Sequence, residues 1–263
     1  MVALRNNFEG GPDGTTITVG NSNQAGTQNP FDLVTLSGTG AVLQYTNVAA
    51  NNLNRPTAEY VMQMSSGSST GNMYCRYTAG LGSAHEVWMR FYVFFSSIST
   101  NATDLNLCQL RGAGVQQVGV WLRTSTTPYC LQINNNFHVV TTNMTSTPIV
   151  AGVWHRVEFH VLLGGSGSGT TGSSNLFLYA DPDSDSNTYT DTISQTSQDY
   201  WQNTADGFTL GQDYNARANT AATYLSNWEI NTTGYPGPAP FRAGLGSPSG
   251  NLANPVAIHS DIS

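Results

Sequence analysis

The stretch AGVWHRVEFHVLLGG, residues 151–165, concentrates side chains that could do acid–base or metal chemistry. It contains His155 and His160 together with Arg156 and Glu158. Apolar residues alternate with these polar ones, and a period of two is typical of a β-strand. In such a strand the two histidines lie on opposite faces, so they cannot converge on one metal ion or substrate atom. Arg156 and Glu158 share a face, which predicts an ion pair.

The carboxylates of the chain are spread out instead of paired. Glycoside hydrolysis uses two carboxyl groups at a set separation, and one of them acts as the acid. Glu59, Glu86, Glu158 and Glu229 each stand alone in their predicted strands. A Ser, His and Asp triad stays open, because its members assemble from distant positions in a sequence. The pattern favours a protein that is not an enzyme and that has no catalytic residues.

One acidic loop partly matches a calcium-binding loop. Asp181, Asp183 and Asp185 have the spacing of the first three ligands of an EF-hand. The sixth position is Ser186 instead of Gly, and the twelfth is Thr192 instead of the bidentate Glu. A calcium loop of another type and a solvated acidic hairpin are the two alternatives that remain.

Aromatic and polar residues cluster shortly before the last predicted strand. Aromatic rings stack on the C–H faces of sugars, and amide or carboxylate oxygens accept hydrogen bonds from sugar hydroxyls. The candidate carbohydrate-binding residues are Tyr200, Trp201, Asn203, Asp206, Asp213, Tyr214 and Arg217. The alternative is that Tyr200 and Trp201 cover the edge of the fold.

The composition speaks against nucleic acid and membranes as partners. The nine basic residues are all arginines scattered along the chain, and the net charge is −7, whereas phosphate recognition needs a clustered basic surface. No apolar run approaches the roughly 18 residues of a membrane span. The N-terminal residues also lack the apolar region of a secretory signal. We therefore expect no nucleic-acid partner, no membrane span and no signal peptide.

The cysteines are Cys75, Cys108 and Cys130. Their odd number and their spacing match neither a disulfide framework nor a zinc site. At most one pair can form a disulfide, and the sequence leaves open whether any pair does.

Short β-strand patterns recur along most of the chain. Each run is rich in β-branched and aromatic residues and is bounded by Gly, Ser, Asn or Pro. Thirteen such runs span residues 15–19, 41–48, 59–66, 72–78, 86–97, 105–112, 116–124, 129–135, 137–143, 153–163, 175–181, 207–212 and 223–230. All-β chains of this length commonly form one domain. We predict an all-β sandwich of two antiparallel sheets.

The strand pattern stops near Asn231, where the chain becomes rich in Pro and Gly. We divide the chain into a domain over residues 1–230 and an extended C-terminal arm over residues 231–263. Such a composition cannot form a core of its own, so we expect the sandwich surface or a neighbouring subunit to hold the arm. Within the domain, residues 164–174 are predicted to form a flexible loop.

Four stretches in order resemble the concanavalin A-like lectin/glucanase superfamily, in particular its laminin G-like branch. They are NNFEGGPDGTT; EVWMRFYVFF; VAGVWHRVEFHV followed by NLFLYAD; and GFTLGQ followed by TYLSNWEI. The resemblance covers roughly residues 5–230 and implies a jelly roll that binds ligands at its concave face or along its loop edge. The E-x-D-x-x-E strand of the glucanase members has no counterpart here, which argues against glycosidase activity.

The resemblance also implies one structural calcium ion. In many such domains calcium joins an N-terminal acidic residue to an Asp near the start of the last strand. Glu9 matches the first position, and Ser226 and Asn227 stand where relatives often carry two Asp residues. An amide oxygen can ligate calcium, but a missing carboxylate weakens the site. The alternative is that Glu9 caps or pairs at the N-terminal strand.

The function that we predict is that of a non-enzymatic virion surface protein, a capsid decoration or minor tail component with a lectin-like domain. Its candidate ligand is a host-surface glycan, and its arm would contact virion subunits in an oligomeric assembly. The alternative is a bacterial extracellular carbohydrate-binding lectin. A polysaccharide-degrading enzyme on the same fold is the third hypothesis.

Overall fold

We analysed a computed structural model of the chain. It describes residues 3–22, 29–55, 58–67, 70–101, 103–135, 145–164, 171–179, 182, 188–200, 202–213 and 221–239. These residues form fourteen β-strands. No helix among them is long and apolar enough to cross a membrane.

The strands form two antiparallel sheets that pack face to face. The larger sheet has eight strands in the order β12-β11-β10-β6-β14-β4-β3, and β1 also pairs with β14. Its strands are β1 (Ala3–Asn6), β3 (Val42–Asn47), β4 (Tyr60–Ser65), β6 (Glu86–Phe95), β10 (Trp154–Leu162), β11 (Gly172–Tyr179), β12 (Asp191–Gln198) and β14 (Thr223–Asn231). The smaller sheet has the order β2-β5-β13-β7-β8-β9. Its strands are β2 (Leu33–Leu36), β5 (Met73–Tyr77), β7 (Leu105–Gly112), β8 (Val115–Arg123), β9 (Cys130–Asn135) and β13 (Gly207–Gln212). The predicted all-β sandwich is confirmed.

The core lies between the two sheets, where every second side chain of each strand points inward. Trp228 of β14 stacks within 5.0 Å of the Tyr77 ring and 5.7 Å of the Phe31 ring. Its ring centroid is also 5.0 Å from that of Phe208 on β13. Burying one such large side chain stabilises the fold by about 1.5–3 kcal/mol. This aromatic cluster therefore ties the last strand of the larger sheet to the smaller sheet.

Strand β10 has the two faces that the sequence predicts. His155 points inward and is only 4% exposed, and burial lowers its pKa below the usual value. His160 lies on the outer face, where its ring stacks on Trp88 at 4.8 Å. Arg156 and Glu158 share that outer face, with Arg156 Nε 3.5 Å from Glu158 Oε1. The predicted separation of the histidines and the predicted ion pair are both confirmed.

Some strand predictions fail at the edges of the sheets. The predicted strand over residues 15–19 is wrong, because Thr16 forms only an isolated bridge to Gln44. The polar edge strand β12 was not predicted, since Ile193 is its only buried apolar residue. The predicted loop over residues 164–174 extends too far, because β11 begins at Gly172. The predicted strand over residues 137–143 lies outside the described residues.

The C-terminal segment after β14 crosses the outer face of the larger sheet. Arg90 Nη1 donates to the Gly237 carbonyl at 2.6 Å, and the backbone N–H of Ala239 donates to the Tyr92 hydroxyl at 2.7 Å. Ala239 is 5% exposed and packs with Tyr92 and Trp154. The sandwich itself therefore holds the start of the predicted arm. Residues 240–263 lie outside the described residues, and the division at residue 230 stays a prediction.

All three cysteines are buried free thiols. Cys75 Sγ lies 3.7 Å from Met62 Sδ, and Cys108 Sγ lies 4.0 Å from Met89 Sδ. Burial raises the pKa of the Cys75 and Cys108 thiols. They act as small apolar core residues and form no disulfide.

Candidate functional site

The outer face of the smaller sheet carries a continuous group of polar side chains, which we call the polar face. Its strands alternate, so that residues such as Cys75, Leu110 and Val120 fill the core and their neighbours point outward. The outward residues of the polar face are Tyr74, Arg76, Asn106, Gln109, Arg111, Trp121, Gln132 and Thr209, and Asp213 follows directly after β13. Most of these side chains are buried although they face away from the core.

The strand register places these side chains in cross-strand rows. Arg76, Thr209 and Gln109 are opposite one another on β5, β13 and β7. Gly119 continues this row on β8. A Cβ at Gly119 would lie 2.4 Å from the Cys108 carbonyl oxygen, so the bulge of β7 at this point leaves room only for glycine. Glycine here lets the two strands pair closely beneath the polar side chains.

Asp213 is held between two arginines. Arg76 Nη2 donates to Asp213 Oδ2 at 2.5 Å, and Arg111 Nη1 donates to the same oxygen at 2.9 Å. The side chains of Arg76, Arg111 and Asp213 are 14%, 17% and 10% exposed. Burial, and then repulsion from Arg76, lower the pKa of Arg111, but a guanidinium stays charged in proteins. Asp213 and its two arginines therefore form a group of fixed charges that is shielded from most of the solvent.

Amide side chains and one indole complete the polar face. Arg76 Nε donates to Thr209 Oγ1 at 2.8 Å, and Arg111 Nη1 donates to Gln109 Oε1 at 3.3 Å. With the Asn106 amide oriented to satisfy its neighbours, its oxygen accepts from Trp121 Nε1 at 3.1 Å. These partners hold each group in one rotamer, as a binding site requires if little entropy is to be lost on binding.

Gln132 extends the polar face toward its far edge. It lies opposite Trp121 in the β8–β9 pair, and its Nε2 donates to Asp104 Oδ2 at 2.8 Å. The face therefore combines guanidinium, amide, carboxylate and indole groups across five strands. Such planar polar groups can donate to and accept from the hydroxyls of a sugar. The Trp121 indole lies beside them and is 8% exposed.

The predicted carbohydrate-binding residues lie in different parts of the structure. Asp213 belongs to the polar face, and Asp206 adjoins it because its backbone N–H donates to the Arg111 carbonyl at 3.0 Å. Asn203 lies further along the same loop, where its carbonyl bonds to His85 Nδ1 at 2.6 Å. Trp201, Tyr214 and Arg217 lie outside the described residues.

Tyr200 occupies a different position from its predicted neighbours. Its side chain is 0% exposed, and a Cβ added at Gly172 would lie 2.6 Å from the Tyr200 ring. Tyr200 therefore packs in the core and offers no ring surface to a ligand. Carbohydrate binding by the other members of the predicted set stays a prediction.

Arg76, Arg111, Gln109, Asn106 and Trp121 were not among the predicted site residues. They occupy alternate positions of MYCRY, LNLCQLRG and VQQVGVWLR. The polar half of each alternation is the signal that could have identified them. That signal alone does not distinguish a binding face from a solvated one, because the sheet order that gathers these strands is not visible in the sequence.

Both residues of the predicted calcium site lie near one end of the β1–β14 ladder. Asn6 pairs with Trp228 there; Glu9 comes three residues after Asn6, and Asn227 comes directly before Trp228. Asn227 sits in a bulge at φ +48°, and the Ser226 hydroxyl donates to its side-chain oxygen. No cluster of three or more His, Cys, Asp or Glu suited to a metal is found among the described residues. Calcium at Glu9 and Asn227 stays a prediction.

The fold of the chain matches known structures although its sequence does not. No protein-family model matches it, and a search of the curated proteins finds no match. The solved structure of cellulose-induced protein Cip1 is 11% identical, with a TM-score of 0.54 over 89% of this chain and 99% of that one. This similarity confirms the jelly-roll fold that the resemblance implied.

Two further solved structures are similar at a lower level. Domain 4 of AbnA, an extracellular arabinanase from Geobacillus stearothermophilus solved with arabinotriose, is 12% identical, with a TM-score of 0.47 over 88% of this chain and 93% of that one. A carbohydrate esterase from the Shiga toxin-encoding bacteriophage phi24B is 12% identical, with a TM-score of 0.47 over 75% and 88% of the two chains.

Proposed function

We propose that the chain is a carbohydrate-binding domain that holds a glycan on its polar face. The observation that supports this most is the set of preorganised groups around Asp213, which two arginines fix in place at 2.5 and 2.9 Å. Sugars present many hydroxyls at fixed angles, and they are recognised by rigid planar donors and acceptors beside an aromatic ring. Gln109, Gln132 and Trp121 supply such groups on the same face.

We propose binding without turnover. Hydrolases hold two carboxyl groups about 5–9.5 Å apart, and one of them needs a raised pKa to act as the acid. In the polar face Asp213 is ion-paired with Arg76 and Arg111, and Asp104 is hydrogen-bonded to Gln132 and to the backbone of Thr124. Burial raises the pKa of Asp213, and the two arginines oppose this rise. Because both carboxylates are held by structural partners, they suit a fixed recognition surface better than proton transfer.

The test is a glycan array followed by calorimetric titration of the best ligand. We expect Arg76→Met and Gln132→Met each to lower the affinity at least about tenfold, which corresponds to roughly 1.4 kcal/mol. Arg5→Met, an exposed arginine on β1 of the other sheet, is the matched control and should bind normally. Thermal unfolding of each variant identifies any loss of fold. Binding that survives both substitutions in folded protein would place the glycan elsewhere, and a chain that binds no glycan would contradict the proposal.

The proposed absence of turnover has its own measurement. The purified chain is incubated with the polysaccharide that contains the best ligand, and the products are separated by size. We expect the polymer to keep its length. Shortening of the polymer that stops in Arg76→Met would instead assign an enzyme to the polar face.

We further propose that the domain is displayed on a virion surface, with residues 240–263 contacting virion subunits. The lysine-free, weakly charged composition and the Pro/Gly-rich arm support this location. Particle purification tests it, because the full chain should sediment with particles and a chain ending at residue 239 should not. A chain that occurs only free of particles favours the alternative, a bacterial extracellular lectin.

A further inference from the structure

The outer face of the larger sheet contains a pocket on the side opposite the polar face. Its volume is about 370 Å³, and its lining residues are Glu158, Phe177, Tyr179, Tyr189, Tyr235 and Gly237. Strands β10 and β11 form its floor, and the C-terminal segment that crosses the sheet forms one wall. We call this site the aromatic pocket.

The rings of the aromatic pocket stand at steep angles to one another. The Phe177 ring lies 5.1 Å from Tyr189 at 56° and 5.2 Å from Tyr235 at 89°. Tyr189 and Tyr235 are 45% and 42% exposed, so both can meet a ligand at the entrance. Phe177 therefore packs directly against both tyrosines, and the three rings line the pocket from different directions.

Glu158 lies in the wall of this pocket as a buried carboxylate. The residue is 3% exposed, and in the sheet it lies between Arg90 and Phe177. Its Oε2 accepts a hydrogen bond from the Tyr179 hydroxyl at 3.4 Å. Its Oε1 has no hydrogen-bond donor among the described residues, since Arg156 Nε is 3.5 Å away. A buried carboxylate oxygen without a donor is costly unless a ligand supplies one.

The neighbouring arginines already have other contacts. The Arg156 guanidinium stacks on the Tyr179 ring at 3.6 Å. Arg90 donates to Glu229 Oε2 at 2.8 Å and to the Gly237 carbonyl at 2.6 Å. Both side chains are nearly completely buried, so neither can swing freely toward Glu158 Oε1.

Carboxylates lie near Tyr235 at the entrance, and the guanidinium groups of Arg90 and Arg156 also act on Glu158. Burial, followed by the charges of Glu158, Tyr179 and Glu86, raises the pKa of Tyr235. Glu86 is 40% exposed on the same outer face, where it bonds to His160 Nε2 at 2.8 Å. Cations are attracted both to carboxylates and to the faces of aromatic rings, and boxes of such rings recognise alkylated ammonium groups.

We propose that the aromatic pocket binds an organic ammonium ion, which is attracted by the Glu158 carboxylate while its alkyl groups contact the surrounding rings. Nothing in the polar face takes part, so this site is independent of the proposed glycan binding. The class includes any ligand that carries a protonated amine on a small apolar body.

Trimethylammonium and tert-butanol are the probes, because they have similar shapes and each carries one hydrogen-bond donor but only the first is charged. Binding to the full chain is followed by NMR titration at neutral pH. We expect saturable shifts of the pocket residues with trimethylammonium and an affinity for tert-butanol at least about tenfold lower. Equal affinities for the two probes, or no saturable shift with trimethylammonium, would overturn the proposal.

Two variants test whether trimethylammonium binds in the aromatic pocket. Glu158→Gln keeps the shape and removes the charge, and we expect it to weaken trimethylammonium binding about tenfold or more. Tyr189→Ala removes a ring that is 45% exposed, and it should weaken binding several-fold. Asp32→Asn, at an exposed carboxylate just before β2 of the smaller sheet, is the matched control and should leave the affinity unchanged. Folded Tyr189→Ala protein with unchanged affinity would place the ammonium elsewhere, even if Glu158→Gln failed to fold.

Discussion

The two outer faces of the sandwich use charged and aromatic side chains in opposite ways. On the polar face, one carboxylate is shared by Arg76 and Arg111, and Gln109 accepts a hydrogen bond from Arg111. In the aromatic pocket, Glu158 Oε1 has no donor among the described residues and aromatic rings surround it. A network whose polar groups bond to one another keeps a fixed shape, and a ligand that covers it can recognise that shape. An unsatisfied buried group indicates a ligand that supplies the missing partner.

The largest expected effect comes from removing the guanidinium nearest to Glu158. We expect Arg156→Met to destabilise the protein by about 3–5 kcal/mol, because a buried charge that loses its partner stays uncompensated. Chemical denaturation measures this change. The double variant Arg156→Met, Glu158→Leu removes both charges and should regain most of the lost stability. A single variant as stable as the parent would show that the two charges do not depend on each other.

Removal of residues 232–263 should change ligand binding on one face of the sandwich and not on the other. The shortened chain lacks Tyr235 and Gly237, which line the aromatic pocket. We expect its affinity for trimethylammonium to fall at least tenfold, which is about 1.4 kcal/mol, while glycan affinity stays unchanged. Titrations of the same preparation with both ligands measure this. A parallel loss of glycan binding would mean that the arm supports the whole fold and not one face.

On the polar face, the loss of one arginine should lower the free energy of unfolding less than the loss of Arg156 does. We expect Arg111→Met to destabilise the protein by only about 1 kcal/mol, because Arg76 still compensates Asp213 and because the pair is partly exposed. Chemical denaturation compares it with Arg156→Met. A loss as large as that of Arg156→Met would contradict the difference between a shared and a single partner.

The smallest expected effect is the pH dependence of ammonium binding in the aromatic pocket. Burial raises the pKa of Glu158 above its usual 4.5, although Arg156, Arg90 and the Tyr179 hydroxyl oppose the rise. Glu158 therefore becomes protonated at a higher pH than an ordinary glutamate, and its attraction for an ammonium ion is lost as the pH falls through this raised value. Tyr235 and His160 also face the site, and Tyr235 stays neutral because its pKa is raised.

Titrations of trimethylammonium between neutral and mildly acidic pH measure this dependence. The affinity should fall on acidification in the parent chain and should be flat in Glu158→Gln. A pH dependence that persists in Glu158→Gln would show that Glu158 is not its source.

The sequence predicted the interior of the sandwich better than its edges. Central strands such as β6 and β10 alternate clearly, because one face of each must be apolar to pack against the other sheet. The edge strand β12 carries polar residues on most positions and gives no such pattern. Isolated bridges such as Thr16 with Gln44 have no sequence signature.

For the candidate sites, the sequence identified residue types but not their partners. It predicted Asp213 in a binding role and the shared face of Arg156 and Glu158. It did not predict that Arg76 would reach Asp213, which is 137 residues further along the chain. Two residues this far apart in the sequence meet only because of the order of the strands in the sheet. The alternation of polar and apolar residues does not encode that order.

The amino-acid sequence by itself determined the all-β class and the inward and outward faces of the central strands. Those features follow from local periodicity and composition, which each segment carries independently of the others. Only the tertiary structure decided which outward residues meet. It joined the five strands of the polar face, and it laid Tyr235 across the sheet beside Glu158. Contacts of this kind depend on the pairing of distant segments, and their free energy comes from burial that no single segment achieves alone.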